Sequence, residues 1–275
     1  MIKDLIVNLT PGVEHDPAAQ YAVSIAAKFK AHAVGIVFAY DPAMMPTVMD
    51  GVTAGWIEAQ RAENLTAAQH AVVAFEEAAS RQGVSVEHRI IASSLGAAPG
   101  EFSRIARHFD LSVVGQSADD VAVPDDLLIE AALFETGRPT VVVPYIQKGD
   151  IKLGHVLVCW DHSRNAARAV ADAMPLLACS DRVEVIMVTN KDDGDELPGT
   201  GIAQHLARHD LNVELKRLTS GNLDVSDVIL SYAADCGADF IVMGGYGHSR
   251  LREFILGGAT RGILRSMTVP VLMSH

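Results

Sequence analysis

An internal duplication limits the folds open to this 275-residue chain. The run Leu5-Ile6-Val7-Asn8-Leu9-Thr10 returns 151 positions later as Val156-Leu157-Val158-Cys159-Trp160-Asp161, and Asp110 returns 129 positions later as Asp239. The two offsets differ, so the first copy carries about 22 more residues, in a Met-rich segment and the helix after it. Each copy alternates short apolar runs with longer amphipathic ones, the pattern of a parallel sheet with helices on both faces. Two copies of one β-α-β series follow, not a many-repeat solenoid. The expected domains are residues 1–147 and 151–275, divided at the polar stretch Gln147-Lys148-Gly149-Asp150.

In the first copy, strands are expected at 4–10, 33–40, 84–92, 111–115 and 139–145, with helices at 17–30, 56–82, 100–109 and 124–136. Residues 43–55, rich in Met, Pro and Gly and without a period, read as a long loop or lid. Met44, Met45, Met49 and Trp56 there are expected to pack as core beneath the loop. In the second copy, strands are expected at 156–160, 182–189, 212–218, 239–243 and 269–273, with helices at 165–178, 202–209, 225–236 and 259–265.

The densest chemistry lies in Val242-Met243-Gly244-Gly245-Tyr246-Gly247, which closes an apolar strand, and in Gly257-Gly258-Ala259-Thr260, which opens a helix. Glycine at a strand end lets backbone N–H groups come close to a ligand with no Cβ in the way. A helix N-terminus adds unpaired donors and the positive end of the macrodipole. Together they suit an anion, most simply nucleotide phosphates. No Gly-Lys-Ser/Thr follows, which excludes the Walker pattern, and the spacing is not the G-x-G-x-x-G dinucleotide fingerprint.

Gly244-x2-Gly247-x9-Gly257, placed after a fourth strand, resembles the nucleotide-binding signature of the universal stress protein family. The likeness spans nearly the whole chain and implies a tandem α/β protein: two doubly wound parallel-sheet domains of strand order 3-2-1-4-5, packed as a pseudo-dimer. It implies an adenine nucleotide, ATP with Mg²⁺ on its phosphates, held by the second domain in a regulatory role in stress response. The residues it assigns to that site are Trp160, Asp161, Val188, Met243, Gly244, Gly247, Gly257, Gly258, Ala259 and Thr260. The family pattern places Ser or Thr directly after the last glycine, where this chain has Gly258. Losing that hydroxyl removes roughly 0.5–1.5 kcal/mol; Thr260 is a possible replacement. Two other readings stay open: a nucleotide-free dimerisation or protein-interaction module of the same fold, and slow ATP hydrolysis at most.

Several site residues have structural alternatives. Asp161 can accept from a ribose hydroxyl or an adenine amino group, or cap the helix after Asp161-His162-Ser163. Trp160 can stack on a base, fill its pocket or pack as core. Gly244 can serve close packing alone. The first copy lacks the signature: Thr10 replaces the acid, and Asp119, Asp120, Asp125 and Asp126 would repel phosphate. It reads as a degenerate partner.

Other chemistry is sparse. The pair His205 and His209, one helical turn apart, has no HExxH glutamate, and no metal site or catalytic residue is expected. Cys159, Cys179 and Cys236 form no CxxC motif and suit a reducing, cytoplasmic setting. A formal charge of −12 argues against nucleic acid as a partner, and no run is apolar enough for a membrane span. A homodimer and further protein partners are compatible with the family.

Overall fold

The computed structural model describes residues 1–42, 54–116, 124–189, 199–245 and 258–275. The chain separates into two compact units, one of residues 1–138 with 148–150, the other of residues 139–147 with 151–275. The expected loop over 43–55 lies outside the described residues up to position 53, together with Met44, Met45 and Met49, whereas Trp56, expected as core, is exposed on the first turn of a helix that starts at Ala54.

The first unit holds β1 (Asp4–Leu9), α1 (Pro17–Phe29), β2 (His32–Tyr40), α2 (Ala54–Arg81), β3 (Val86–Ser93), α3 (Ala98–Ala106), β4 (Leu111–Gly115) and α4 (Pro124–Glu135). Its strands run in the order β3-β2-β1-β4. All three pairings are parallel, with Leu5 opposite both Ala33 and Leu111. β1 after Asp4, and β4, are mostly buried and apolar, broken only by Asn8 and Ser112, because helices cover both faces of such a sheet. α1 starts where Asp16 accepts from the Ala19 N–H at 3.0 Å and Pro17 supplies a preset φ. It ends at Lys30, whose left-handed φ of 53° turns the chain into β2. Between these caps Tyr21, Ala22, Ile25 and Ala26 are buried. Each large side chain among them contributes roughly 1.5–3 kcal/mol through burial.

The extra length of the first copy lies largely in α2, which has 28 residues, whereas the matching helix of the second unit, Thr200–Ala207, has 8. Gly35 seats α2 on the sheet. A Cβ there would lie 2.9 Å from both Leu9 Cδ1 and Phe75 Cε1, so the absence of a side chain lets the Phe75 ring press onto β2.

The second unit holds β5 (Thr140–Val143), β6 (His155–Cys159), α5 (Arg164–Leu177), β7 (Arg182–Thr189), α6 (Thr200–Ala207), β8 (Val213–Thr219), α7 (Val225–Cys236), β9 (Phe240–Gly244), α8 (Gly258–Ser266) and β10 (Val271–Ser274). The order is β8-β7-β6-β9-β10, the expected 3-2-1-4-5, continued by β5. β5 runs antiparallel to β10, with Val142 opposite Val271, while the other pairings are parallel. The sequence division near 147 would leave β5 with the first copy, but this pairing groups it with the second. Among the described residues no helix is long and apolar enough to cross a membrane.

Candidate functional site

The strand order fixes where a ligand can sit in the second unit. β7 and β9 flank β6 on opposite sides, so β6 stands at the switch point of the sheet, where a crevice opens beyond the strands' carboxyl ends. A half-open cleft of about 160 Å³ lies there, lined by residues at the ends of β6, β7 and β9 and the starts of α7 and α8. Trp160, Asp161, Val188, Met243, Gly244, Gly258, Ala259 and Thr260, all expected from the sequence, line it together. Gly247 and Gly257 lie outside the described residues.

The β6 end is shaped by a tight turn. Trp160 donates its backbone N–H to the Ile186 carbonyl at 2.9 Å, which extends the β6–β7 ladder by one step. Asp161 Oδ1 then accepts from the Ser163 N–H at 2.9 Å, and His162 takes a left-handed φ of 63° inside that turn. Ser163 caps α5, its Oγ accepting from the Ala166 N–H at 3.0 Å. The helix cap is therefore Ser163, and Asp161 keeps an exposed carboxylate at the cleft. Trp160 is half-buried and lines the cleft, with its indole N–H directed at His162 Nδ1 at 3.3 Å and the two rings edge-on at 5.8 Å.

At the β9 end, Gly244 is required by packing. A Cβ there would lie 2.6 Å from the Ala166 nitrogen and 2.7 Å from the Asn165 carbonyl carbon, contacts with backbone that cannot rotate away. Asn165 Nδ2 donates to the Gly245 carbonyl, and the Gly245 N–H donates to the Ser274 carbonyl at 2.8 Å. The Gly245 amide is thus committed to the sheet. Gly258 is the opposite case: among the described residues nothing lies within 4 Å of a Cβ placed there. Thr260, one turn in, is buried at the cleft wall.

Cys159, Ile186, Val225 and Ile229 also line the cleft and were not expected from the sequence. Ile186 precedes Val188 by two positions, hence on the same face of β7, and Ile229 follows Val225 by one turn of α7. Those periods were the available signal. The apolar wall suits a flat ring, whereas Asp161 and the α8 terminus supply the polar groups that orient a ligand. Cys159 is not a nucleophile in this setting: burial first, and the Asp161 charge second, push its thiol up to about 12.

The matching positions of the first unit are arranged differently. The Thr10 N–H donates to Asp16 Oδ2 at 2.8 Å, so the acid near the end of β1 serves the α1 cap. A Cβ on Gly115, the counterpart of Gly244, would make one ordinary contact among the described residues, 3.7 Å to Ala18 Cβ. His205 and His209 stack edge-on, 4.9 Å between centroids, with no third ligand gathered around them among the described residues.

Comparison with known proteins agrees with this architecture. Residues 152–275 match the model of the Universal stress protein family. A universal stress protein of Synechocystis is 24% identical over 171 residues, covering 60% of this chain and 57% of that protein. A universal stress protein structure from Archaeoglobus fulgidus superposes with a TM-score of 0.73 at 15% identity, covering 98% of this chain and 97% of the other. A putative universal stress protein from Pseudomonas aeruginosa gives a TM-score of 0.61 at 15% identity, with 99% and 93% covered. At these identities the structural matches speak for the fold.

Proposed function

Since residues 152–275 form a universal stress protein domain, we propose that the cleft of the second unit binds an adenine nucleotide, ATP accompanied by Mg²⁺, and that occupancy regulates the protein in a stress response. The observation that carries this reading is the joint placement of an apolar wall, an exposed carboxylate and an open helix start around one crevice. Ile186, Val188, Val225, Ile229 and Met243 are suited to the purine faces. Asp161 is suited to accept from a ribose hydroxyl or the adenine amino group. The α8 terminus at Gly258, with no Cβ to obstruct it, is suited to phosphate oxygens. Among the described residues Asp161 is the one carboxylate lining the cleft, so Mg²⁺ would arrive as the counterion of the phosphates, held mainly by them and by water. The role proposed is binding; phosphate release over time tests for any hydrolysis.

The geometry also selects the test. Gly244 variants are poor probes, because loss of binding would follow from displacement of α5. Val188 is half-buried at the cleft and open on one side, so Val188→Trp fills the crevice from within. Isothermal titration of nucleotide-stripped protein with Mg-ATP is expected to give one saturable site per chain, at least tenfold weaker in Val188→Trp, with matching urea denaturation midpoints as the folding control. No binding up to millimolar Mg-ATP would overturn the reading in favour of a nucleotide-free interaction module. The Gly258 departure and the degenerate first unit favour that second reading.

A further inference from the structure

At the opposite end of β6 the second unit buries a polar cluster in an otherwise apolar sheet. His155 opens β6, Glu184 lies in β7, and Cys236 closes α7. The Glu184 side chain is 3% exposed and that of His155 11%. Such groups are costly to bury without partners. The matching positions of the first unit are Asp4, Val34 and Arg107, so the trio belongs to the second copy alone. The cluster lies four residues along β6 from the cleft, about 13 Å at strand spacing.

We propose that His155, Glu184 and Cys236 bind one divalent cation of the zinc type. One ligand atom from each lies within 4.8 Å of the other two. In a tetrahedral zinc site, with bonds of about 2.0–2.3 Å, ligand atoms stand about 3.5 Å apart.

The neighbours already orient these groups as outer-shell partners do. His155 Nδ1 faces the Cys236 carbonyl at 3.4 Å; a carbonyl only accepts, so Nδ1 carries hydrogen and Nε2 is the coordinating nitrogen. Nε2 lies 3.0 Å from Glu184 Oε2. The Tyr232 hydroxyl donates to Glu184 Oε1 at 2.6 Å, which leaves Oε2 for the metal. Asp239 Oδ2 accepts from the His155 backbone N–H at 3.0 Å and pins the start of the strand.

Charge is compatible. A dication with one thiolate, one carboxylate and a neutral imidazole is a neutral unit, far less costly to bury than any member alone. Arg182 is the opposing cation, its Nη2 3.4 Å from Glu184 Oε2, but the same nitrogen lies 2.7 Å from Glu214 Oε2, which draws it outward. A mixed N, O and S donor set suits zinc-type ions and not Ca²⁺ or Mg²⁺. Cys236 is half-buried and provides the route in. Coordination displaces the Cys236 thiol proton, so binding releases a proton.

Co²⁺ titration of chelator-stripped, full-length protein tests this without reference to nucleotide. The expected result is one equivalent per chain, with a thiolate-to-cobalt charge-transfer band and intense tetrahedral absorption, both displaced by Zn²⁺. Cys236→Ser should abolish the band and weaken Co²⁺ at least tenfold, whereas Cys159→Ser, Cys179→Ser and His205→Gln should retain it. In the unmodified protein, Zn²⁺ should protect Cys236 from alkylation, mapped by mass spectrometry, which keeps the test decisive if the Ser variant folds poorly. No charge-transfer band in the unmodified protein, or no protection of Cys236, would overturn the proposal and leave a hydrogen-bonded network.

Discussion

The two units start from one strand–helix plan and use the end of their first strand differently. In the second, Ser163 caps α5, and this leaves Asp161 exposed at a cleft. In the first, Thr10 replaces that acid, and the nearby Asp16 receives both the Thr10 and Ala19 N–H groups, its oxygens committed to the backbone. The fourth strands diverge in parallel. Gly244 lets α5 lie against β9 at backbone distance, while Gly115 leaves room for a side chain. A site in this fold therefore depends less on the topology, which the units share, than on which residue caps the first helix and how closely that helix approaches the fourth strand.

The glycine pair gives the sharpest break in the comparison. Gly244→Ala places a methyl 2.6 Å from the Ala166 nitrogen, so α5 must shift; a loss of about 2–4 kcal/mol is expected by urea denaturation. Gly115→Ala, with a single contact among the described residues at an ordinary 3.7 Å, is expected to stay within about 0.5 kcal/mol of the parent. Equal losses would mean that the two strand ends are packed alike. A smaller effect is expected at the open position. Gly258→Ser adds a hydroxyl where no described residue lies within 4 Å. Tighter Mg-ATP binding by about 0.5–1.5 kcal/mol, roughly tenfold or less, should appear in titration with stability unchanged. Unchanged affinity would place the phosphates away from the start of α8.

A third effect is smaller again. Burial is the larger cause of the raised Cys159 thiol and the Asp161 charge the lesser. Asp161→Asn keeps an acceptor for the Ser163 N–H but removes the charge, so the thiol should ionise at lower pH while staying above the ordinary range. The pH profile of Cys159 alkylation reads this directly. A profile identical to the parent's would mean that burial alone sets the thiol.

Much of the fold could be read from the sequence because parallel strands covered on both faces are apolar runs with polar punctuation. β4, β7 and α7 have the bounds that periodicity predicts, and most other ends fall within two residues. The residues gathered at the cleft were legible where glycine or a carboxylate interrupts an apolar pattern, as at Gly244, Gly258 and Asp161. Ile186, Val225 and Ile229 were not, because a residue lining a cleft and one facing the core have the same side chain; the distinction arises only when α7 and β7 are placed. The sequence offers Asp161 as a helix cap, but the left-handed turn at His162 carries the chain on to Ser163, which is the cap. The His155, Glu184 and Cys236 cluster spans 81 positions with no motif spacing, and only the parallel register brings it together.

The smallest contrast lies in the caps themselves, and pH separates them. The Ser163 hydroxyl does not titrate, so Ser163→Ala should cost about 1 kcal/mol at every pH where the protein is folded. Asp16 does titrate. Burial raises its carboxyl above the ordinary value, outweighing the Thr10 and Ala19 N–H groups that favour the ionised form. With its folded value above the unfolded one, the folded state holds the proton more tightly. The contribution of Asp16 to stability is then greatest in acid, below the unfolded value near 3.9, and falls as pH rises through the raised folded value. Asp16→Asn cannot titrate, so its deficit against the parent should widen as pH is lowered from 7 towards 4 and narrow on return. Urea midpoints across that range test the sign. A deficit that shrinks on acidification would mean that the two N–H donors, and not burial, dominate at the α1 cap.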